Sequence, residues 1–190
     1  MDNEGHCLTA EETTWLFLQS FGTALRNEFF VHDVKLSDRI PESAAQLGAL
    51  PAAQPSGYAF LRASMIRSGA IFGAEISGHC FFRELQAGDD GLHTACRMIS
   101  HLAGGEQTLA DQRRCCPETC VTPDLRLAME AVTQPEIMRQ IRNAFEAFPQ
   151  NHLDGVRIEY PDGWALIRRS VTEAALTFRF EAGARPILTA

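Results

Sequence analysis

In the stretch Gly73-Ala74-Glu75-Ile76-Ser77-Gly78-His79, a carboxylate, a hydroxyl and an imidazole stand at alternate positions. In an extended segment that spacing puts Glu75, Ser77 and His79 on one face. Gly73 and Gly78 bracket them and let the backbone bend close to a ligand. Glu75 can accept two hydroxyl hydrogens, Ser77 can donate or accept, and His79 can donate to an anionic oxygen. The set suits a small, polyhydroxylated anion. A strand-to-turn segment with polar residues facing water has the same pattern, so chemistry alone leaves both readings open.

Other candidates are scattered along the chain. Lys35 closes the run Phe29-Phe30-Val31-His32-Asp33-Val34; a lysine partly withdrawn from water can act as general acid or base. Arg168-Arg169-Ser170-Val171-Thr172-Glu173 combines guanidinium groups that bind phosphate oxygens in pairs with hydroxyls and turn amides that cradle the rest. The competing reading is an arginine pair on a solvated hairpin. Tyr58, after Ser56-Gly57, can hydrogen-bond a hydroxyl or simply pack, and Arg62 reads as solvated. Asp89 and Asp90 form a carboxylate pair that helix capping explains. Cys115, Cys116 and Cys120 cluster, with His93 or His101 as a conceivable fourth ligand, but the spacing fits no pairing of two-ligand zinc knuckles. It reads as a loop, and no metal ligands are assigned.

With 45% hydrophobic content, 190 residues can bury one substantial core or two small ones. No apolar run is long enough to span a bilayer, and Met1-Asp2-Asn3-Glu4-Gly5 is too acidic for a signal peptide. Cytoplasmic, reduced thiols follow as the expectation. The net charge of -7 argues against a nucleic-acid surface and is compatible with a few local cations around an anionic ligand.

Thr9-Ala10-Glu11-Glu12 reads as a capping box opening a helix to about Asn27. A buried strand follows from Phe29, then a helix capped by Ser37 with Pro41 in its first turn and Gly48 at its end. Pro51 to Pro55 reads as a short connection or an edge strand, Ala59 to Ser68 as a helix closed by Gly69, and Cys80 to Arg83 as a strand. A fourth helix, capped by Asp89 or Asp90, turns Leu92, Cys96, Ile99 and Leu102 inward. This alternation predicts an α/β domain over 1–107. Over 108–190, a linker with a short helical piece leads into a possible strand near Thr119 to Leu127 and a helix from Thr133. Three strands follow, around Val156-Ile158-Tyr160, Trp164 to Arg168 and Ala175 to Glu181. That is a smaller α+β unit with an antiparallel sheet.

The central heptad, followed by Cys80-Phe81-Phe82-Arg83-Glu84 and Asp89-Asp90-Gly91, resembles the sugar-binding segment of the α-D-phosphohexomutases, the phosphomannomutase/phosphoglucomutase family. Family members usually read Gly-Glu-Met-Ser-Gly-His here. The resemblance implies a C-terminal half only: the third, mixed-sheet α/β domain, and a fourth, TATA-box-binding-protein-like α+β domain apparently truncated at its C-terminus. Gly183 to Ala190 does not read as the family's last helix, which predicts an uncovered sheet face and poor solubility. By the same resemblance Lys35, after Asp-Val, is the catalytic lysine. Glu75, Ser77 and His79 bind sugar, and Arg168, Ser170 and Thr172 bind phosphate. Val171 and Ala174 depart from the Asn and Pro usual in the phosphate loop, and Tyr58 stands where His is usual. The implied function is intramolecular phosphoryl transfer on hexose 1- and 6-phosphates, an isomerase activity. Its phosphoserine and Mg²⁺ loops have no counterpart here. The expected partners are a phosphorylated hexose and the missing N-terminal half, with no nucleic acid and no membrane. The chain alone is expected to be inactive and to bind no Mg²⁺, and a non-catalytic sugar-phosphate-binding fragment is the alternative. Ile76, where a glucosamine-specific branch carries Gln, leans towards mannose or glucose phosphates.

Overall fold

The computed structural model describes Met1 to Gly183. The chain divides into two compact units, Met1–Glu118 and Thr119–Ala190. The expected boundary after residue 107 therefore falls inside the first unit. Helix α5 (Leu109–Arg113) explains the difference: Ala110 is fully buried, its N–H donates to Asn3 Oδ1 at 3.0 Å, and Arg113 Nε donates to Asp2 at 2.7 Å. What reads as linker is clasped by the N-terminal segment.

The first unit contains α1 (Ala10–Phe21), β1 (Phe29–Asp33), α2 (Arg39–Gln46), β2 (Leu50–Gln54), α3 (Tyr58–Ser68), β3 (Phe72–Ala74), β4 (Cys80–Phe82), β5 (Gly88–Asp89), α4 (Gly91–Ala103) and α5 (Leu109–Arg113). The sheet order is β2-β1-β3-β4-β5, with β1, β2 and β3 parallel and β4 and β5 antiparallel. The sheet is mixed, as expected. Pro51, which cannot donate to a ladder, sits on the edge strand β2.

Strand periodicity sorts the core into two layers. Phe30, Phe72, Ala74 and Phe82 meet α1 and α2 on one face, through Phe17, Leu18, Ile40 and Ala44. Val31 and Phe81 meet α3 on the other, through Leu61 and Met65. A Cβ on Gly73 would lie 2.6 Å from Met65 Sδ, so the small residue lets α3 approach β3 closely. The Thr9–Glu12 capping box starts α1 as expected, but the helix ends at Phe21 and a short 3₁₀ turn, Gly22–Leu25, follows. The N-cap of α2 is Asp38 rather than Ser37, although Ser37 Oγ does accept the Arg39 N–H at 3.2 Å.

Helix α4 is turned over relative to expectation. Leu92 and Ile99 are 78% and 64% exposed, and Ala95 and Cys96 are exposed with them. Inward instead are His93, edge-on to Phe82 at 5.0 Å, and Arg97. The Arg97 guanidinium lies 4.9 Å from the Phe21 ring centre and 5.1 Å from that of Phe82 and pairs with Glu84. The rim of the sheet offers aromatic faces and a carboxylate, and these draw in the Arg97 guanidinium and the His93 ring.

The second unit carries β6 (Leu125–Ala128), α6 (Gln134–Ala144), β7 (Gln150–Asn151), β8 (Val156–Tyr160), β9 (Gly163–Arg169) and β10 (Ala175–Ala182). Its sheet, in the order β6-β10-β9-β8-β7, is wholly antiparallel. Met138, Ile137 and Ile141 of α6 pack on Val156, Ile158, Ala165, Ile167 and Leu176. Trp164, Leu166 and Arg168, on the face of β9 turned away from α6, are also buried. On that face the Arg157 guanidinium lies 4.4 Å from the Trp164 ring centre, and Trp164 Nε1 donates to Glu181 at 2.6 Å. Residues 184–190, on which the expectation of a missing helix rests, lie outside the described residues. No described helix is long and apolar enough to cross a membrane.

Candidate functional site

Three parallel strands end at one edge of the first sheet, and the loops that follow them carry most of the candidate residues. In the order β2-β1-β3 the chain adds β2 on one side of β1 and β3 on the other, and the point where strand order switches side is where open α/β sheets take ligands beyond the carboxyl ends of their strands. Asp33 is the last residue of β1 and only 1% exposed. Its Oδ1 accepts the Lys35 N–H at 2.9 Å and the Ser56 hydroxyl at 2.6 Å, and its Oδ2 accepts the Ile76 N–H at 3.4 Å. One carboxylate thus touches all three loops.

The Glu75–His79 segment is a turn and not the extended stretch that alternation implies. The Glu75 N–H donates to the His79 carbonyl and the Gly78 N–H to the Glu75 carbonyl, each at 3.0 Å, while Ala74 and Cys80 pair across β3 and β4. Gly78, at φ +89°, supplies the left-handed residue that a three-residue hairpin loop needs. Closure of this loop overrides strand periodicity. Glu75 is buried, whereas Ser77 and His79 are exposed.

Glu75 Oε2 accepts the Ser77 hydroxyl at 3.2 Å, and the Gly57 N–H also donates to the carboxylate. Burial first, and the charge on Asp33 second, push the Glu75 carboxyl above the ordinary carboxylate range against these bonds. His79 Nδ1 pairs with Asp89, an arrangement that leaves Nε2 for a ligand. Asp90, not Asp89, caps α4 by accepting the His93 N–H at 2.8 Å. Lys35 lies in the β1 loop and is 9% exposed. Tyr58 packs its ring 5.4 Å from that of Phe81.

In the second unit, the loop between β9 and β10 carries the other candidates. Arg168 is 6% exposed, and its Nε donates to Asp154 at 2.6 Å. Asp154 reaches it because Gly155, at φ +81°, lets β8 start hard against β9: a Cβ there would lie 2.3 Å from the Ile167 carbonyl. Ser170 Oγ accepts the Glu173 N–H at 3.3 Å, while Val171 and Thr172 are exposed. Arg169, the exposed member of the pair, donates Nε–H to Gln134 at 3.1 Å.

Sequence reasoning gave Asp33 and Asp154 no role and Asp89 only a capping role; these carboxylates hold Ile76, Arg168 and His79 respectively. The one available signal was Asp33, a carboxylate closing an otherwise apolar strand. Among the described residues, no three His, Cys, Asp or Glu side chains converge as a metal site would require. Burial pushes the Cys80 and Cys116 thiols up to about 12.

Residues 10–119 match the family described as "Phosphoglucomutase/phosphomannomutase, alpha/beta/alpha domain III". A "Phosphomannomutase/phosphoglucomutase" of Pseudomonas syringae pv. tomato is 32% identical over 155 residues, 80% of this chain and 33% of that protein. Its namesake from Pseudomonas aeruginosa is 28% identical over 95% of this chain and 40% of its own length. The crystal structure of a phosphoglucomutase/phosphomannomutase family protein from Burkholderia thailandensis superposes with a TM-score of 0.85 at 26% identity, covering 98% of this chain and 40% of that one. The chain spans about two fifths or less of the length of these relatives.

Proposed function

Because the chain belongs to the phosphoglucomutase/phosphomannomutase family, we propose that it supplies the sugar- and phosphate-recognition half of a phosphohexomutase. Such an enzyme moves a phosphoryl group between the 1- and 6-positions of a hexose. The observation that carries this reading is the Glu75 turn at the switch point of the parallel strands, where a buried carboxylate, Ser77 and His79 stand within one short loop. Glu75 and Ser77 read ring hydroxyls, and His79, oriented by Asp89, donates to the substrate. Lys35 serves as general acid or base. Arg168, Ser170 and Thr172 take the distal phosphate. A mannose or glucose phosphate is the substrate class, with Ile76 at the variable position.

One of the solved relatives, an N-acetylphosphoglucosamine mutase of Aspergillus fumigatus, was crystallised with GlcNAc-6P and magnesium. The outward face of α4, with Leu92, Ala95, Cys96 and Ile99 exposed, supports a complementary N-terminal half, because it is apolar surface that the described residues leave uncovered.

A second reading is favoured by the β9–β10 loop. Arg168 is already paired with Asp154 and Val171 is 75% exposed, which suits a fragment that binds sugar phosphate weakly and performs no transfer. The test mixes this chain with the N-terminal portion of the Pseudomonas aeruginosa relative and follows glucose 1-phosphate conversion to glucose 6-phosphate. Turnover only in the mixture supports the mutase half. Sugar-phosphate binding without turnover supports the fragment, and loss of both sinks the two together.

A further inference from the structure

The Ser77 hydroxyl lies within the turn and the Gly57 N–H ties Glu75 to the β2 loop alone, so neither fixes the turn relative to both other loops. Asp33 does. Its partners lie 2, 23 and 43 residues away in sequence, one on each loop at the carboxyl edge of the sheet. A carboxylate is the side chain suited to this place, since it offers acceptors in several directions and no donor. Asparagine, of the same size, would aim an N–H₂ at one of the three donors. The Ser56 bond is the short one, at 2.6 Å, and Ser56 itself is 7% exposed. It brings the Gly57 amide to the Glu75 carboxylate, so the β2 loop reaches Glu75 by way of Asp33.

We propose that Asp33 is a positioning residue for the sugar turn, fixing the β1, β2 and β3 loops in one register so that Glu75 meets the ligand in a set geometry. Asp33 touches no substrate in this scheme and acts through Ser56, Gly57 and Ile76. The proposal rests on the reading of the Glu75 turn as the sugar site. It differs from the metal and phosphoserine chemistry of a complete enzyme, because all the groups it invokes are in this unit.

Two measurements on the full chain test it. The first needs no ligand: amide spectra of Ile76 to His79, and a carbon-detected titration of the Glu75 carboxyl, in wild type, Asp33→Asn and Ser56→Ala. The charged groups facing Glu75 are Asp33 from β1 and His79 from the turn, with Asp89 of β5 behind His79. Asp33→Asn is expected to move the turn amides and to bring the Glu75 titration down towards the ordinary range. Ser56→Ala moves the amides and leaves the Asp33 charge in place. The second is titration with glucose 6-phosphate, where each variant is expected to bind about tenfold more weakly. If both variants fold and neither the turn amides nor the Glu75 titration responds, the positioning role is wrong, whatever the sugar does. If the ligand-free readouts respond but wild type binds no glucose 6-phosphate, the latch stands and the sugar reading falls. Should Asp33→Asn fail to fold, Ser56→Ala carries the amide and binding readouts alone.

Discussion

The two candidate ligand loops are both hairpin connections, yet they are held in opposite ways. The Glu75–His79 turn is fixed from beneath: a buried carboxylate reaches its backbone, two turn hydrogen bonds close it, and Asp89 orients its histidine. Its ligand-facing groups are set before anything binds. In the β9–β10 loop, the groups suited to phosphate are engaged with the protein itself. The Arg168 Nε is on Asp154, the Ser170 hydroxyl caps the Glu173 N–H, and Arg169 holds Gln134. Preorganisation lowers the ordering cost of binding, so sugar recognition should survive perturbations that abolish phosphate recognition. The asymmetry also locates fragility: the first loop depends on side chains, the second on one backbone approach.

That approach gives the largest expected effect. Gly155→Ala places a methyl 2.3 Å from the Ile167 carbonyl and 2.8 Å from Arg168 Cα, at a φ of +81°. Backbone on both sides cannot give way, so the cost should be at least about 3 kcal/mol. Faster amide exchange in β8 and β9, with phosphate binding lost, is the outcome that fits. The matching change in the first loop is Gly78→Ala, where φ is +89° but nothing lies within 4 Å of the new Cβ. Only the left-handed backbone is penalised, by roughly 1–2 kcal/mol. If urea denaturation finds Gly78→Ala the more damaging substitution, the contrast between the loops is misdrawn.

A smaller effect sharpens the same comparison from the other side. Val171 is 75% exposed at the tip of the second loop, where an amide could meet a phosphate oxygen. Val171→Asn should tighten inorganic phosphate binding by about 1 kcal/mol, some fivefold, and leave stability within about 0.5 kcal/mol, as a surface change does. NMR titration of residues 168 to 173 reads the affinity, and the urea midpoint reads the stability. An unchanged affinity would mean that the Arg168–Asp154 pair, rather than the missing amide, limits the site.

What the sequence disclosed and what it hid divide along the range of the interactions. Local rules were visible: the Thr9 box, the left-handed Gly69 that ends α3, the Pro51 edge strand, the alternation of Val156, Ile158 and Tyr160. The heptad drew attention to the right side chains, but alternation at Glu75, Ser77 and His79 suggested a strand face. A turn results because Glu75 and His79 close on each other through the backbone. The apolar stripe of α4 misled for a different reason. An amphipathic pattern shows which face is apolar, not whether this chain covers it. Asp33 and Asp154 were hidden because their partners are distant in sequence, and nothing local distinguishes a latch from a capping or solvated carboxylate.

The least forceful expected effects concern pH, and they separate two carboxylates of the first unit by sign. Burial alone would raise Asp2, but hydrogen bonds from Arg113 and from the His6 and Glu4 amides outweigh it and hold the carboxyl at about 2, against an ordinary 3.8. A depressed group contributes stability that is present above its unfolded value and is lost as pH falls through the folded one. The clasp on α5 should therefore loosen between about pH 4 and 2. Glu75 is raised above its ordinary 4.5. Its contribution is complete below that value and is lost as pH rises through the folded one. Urea midpoints measured across the acid and neutral range should show both limbs. Asp2→Asn should flatten the acid limb and Glu75→Gln the upper limb, each without touching the other. Were Glu75→Gln to leave the upper limb intact, neither burial nor the charge of Asp33 would be raising Glu75, and the account of the first loop as held by a buried carboxylate pair would fall.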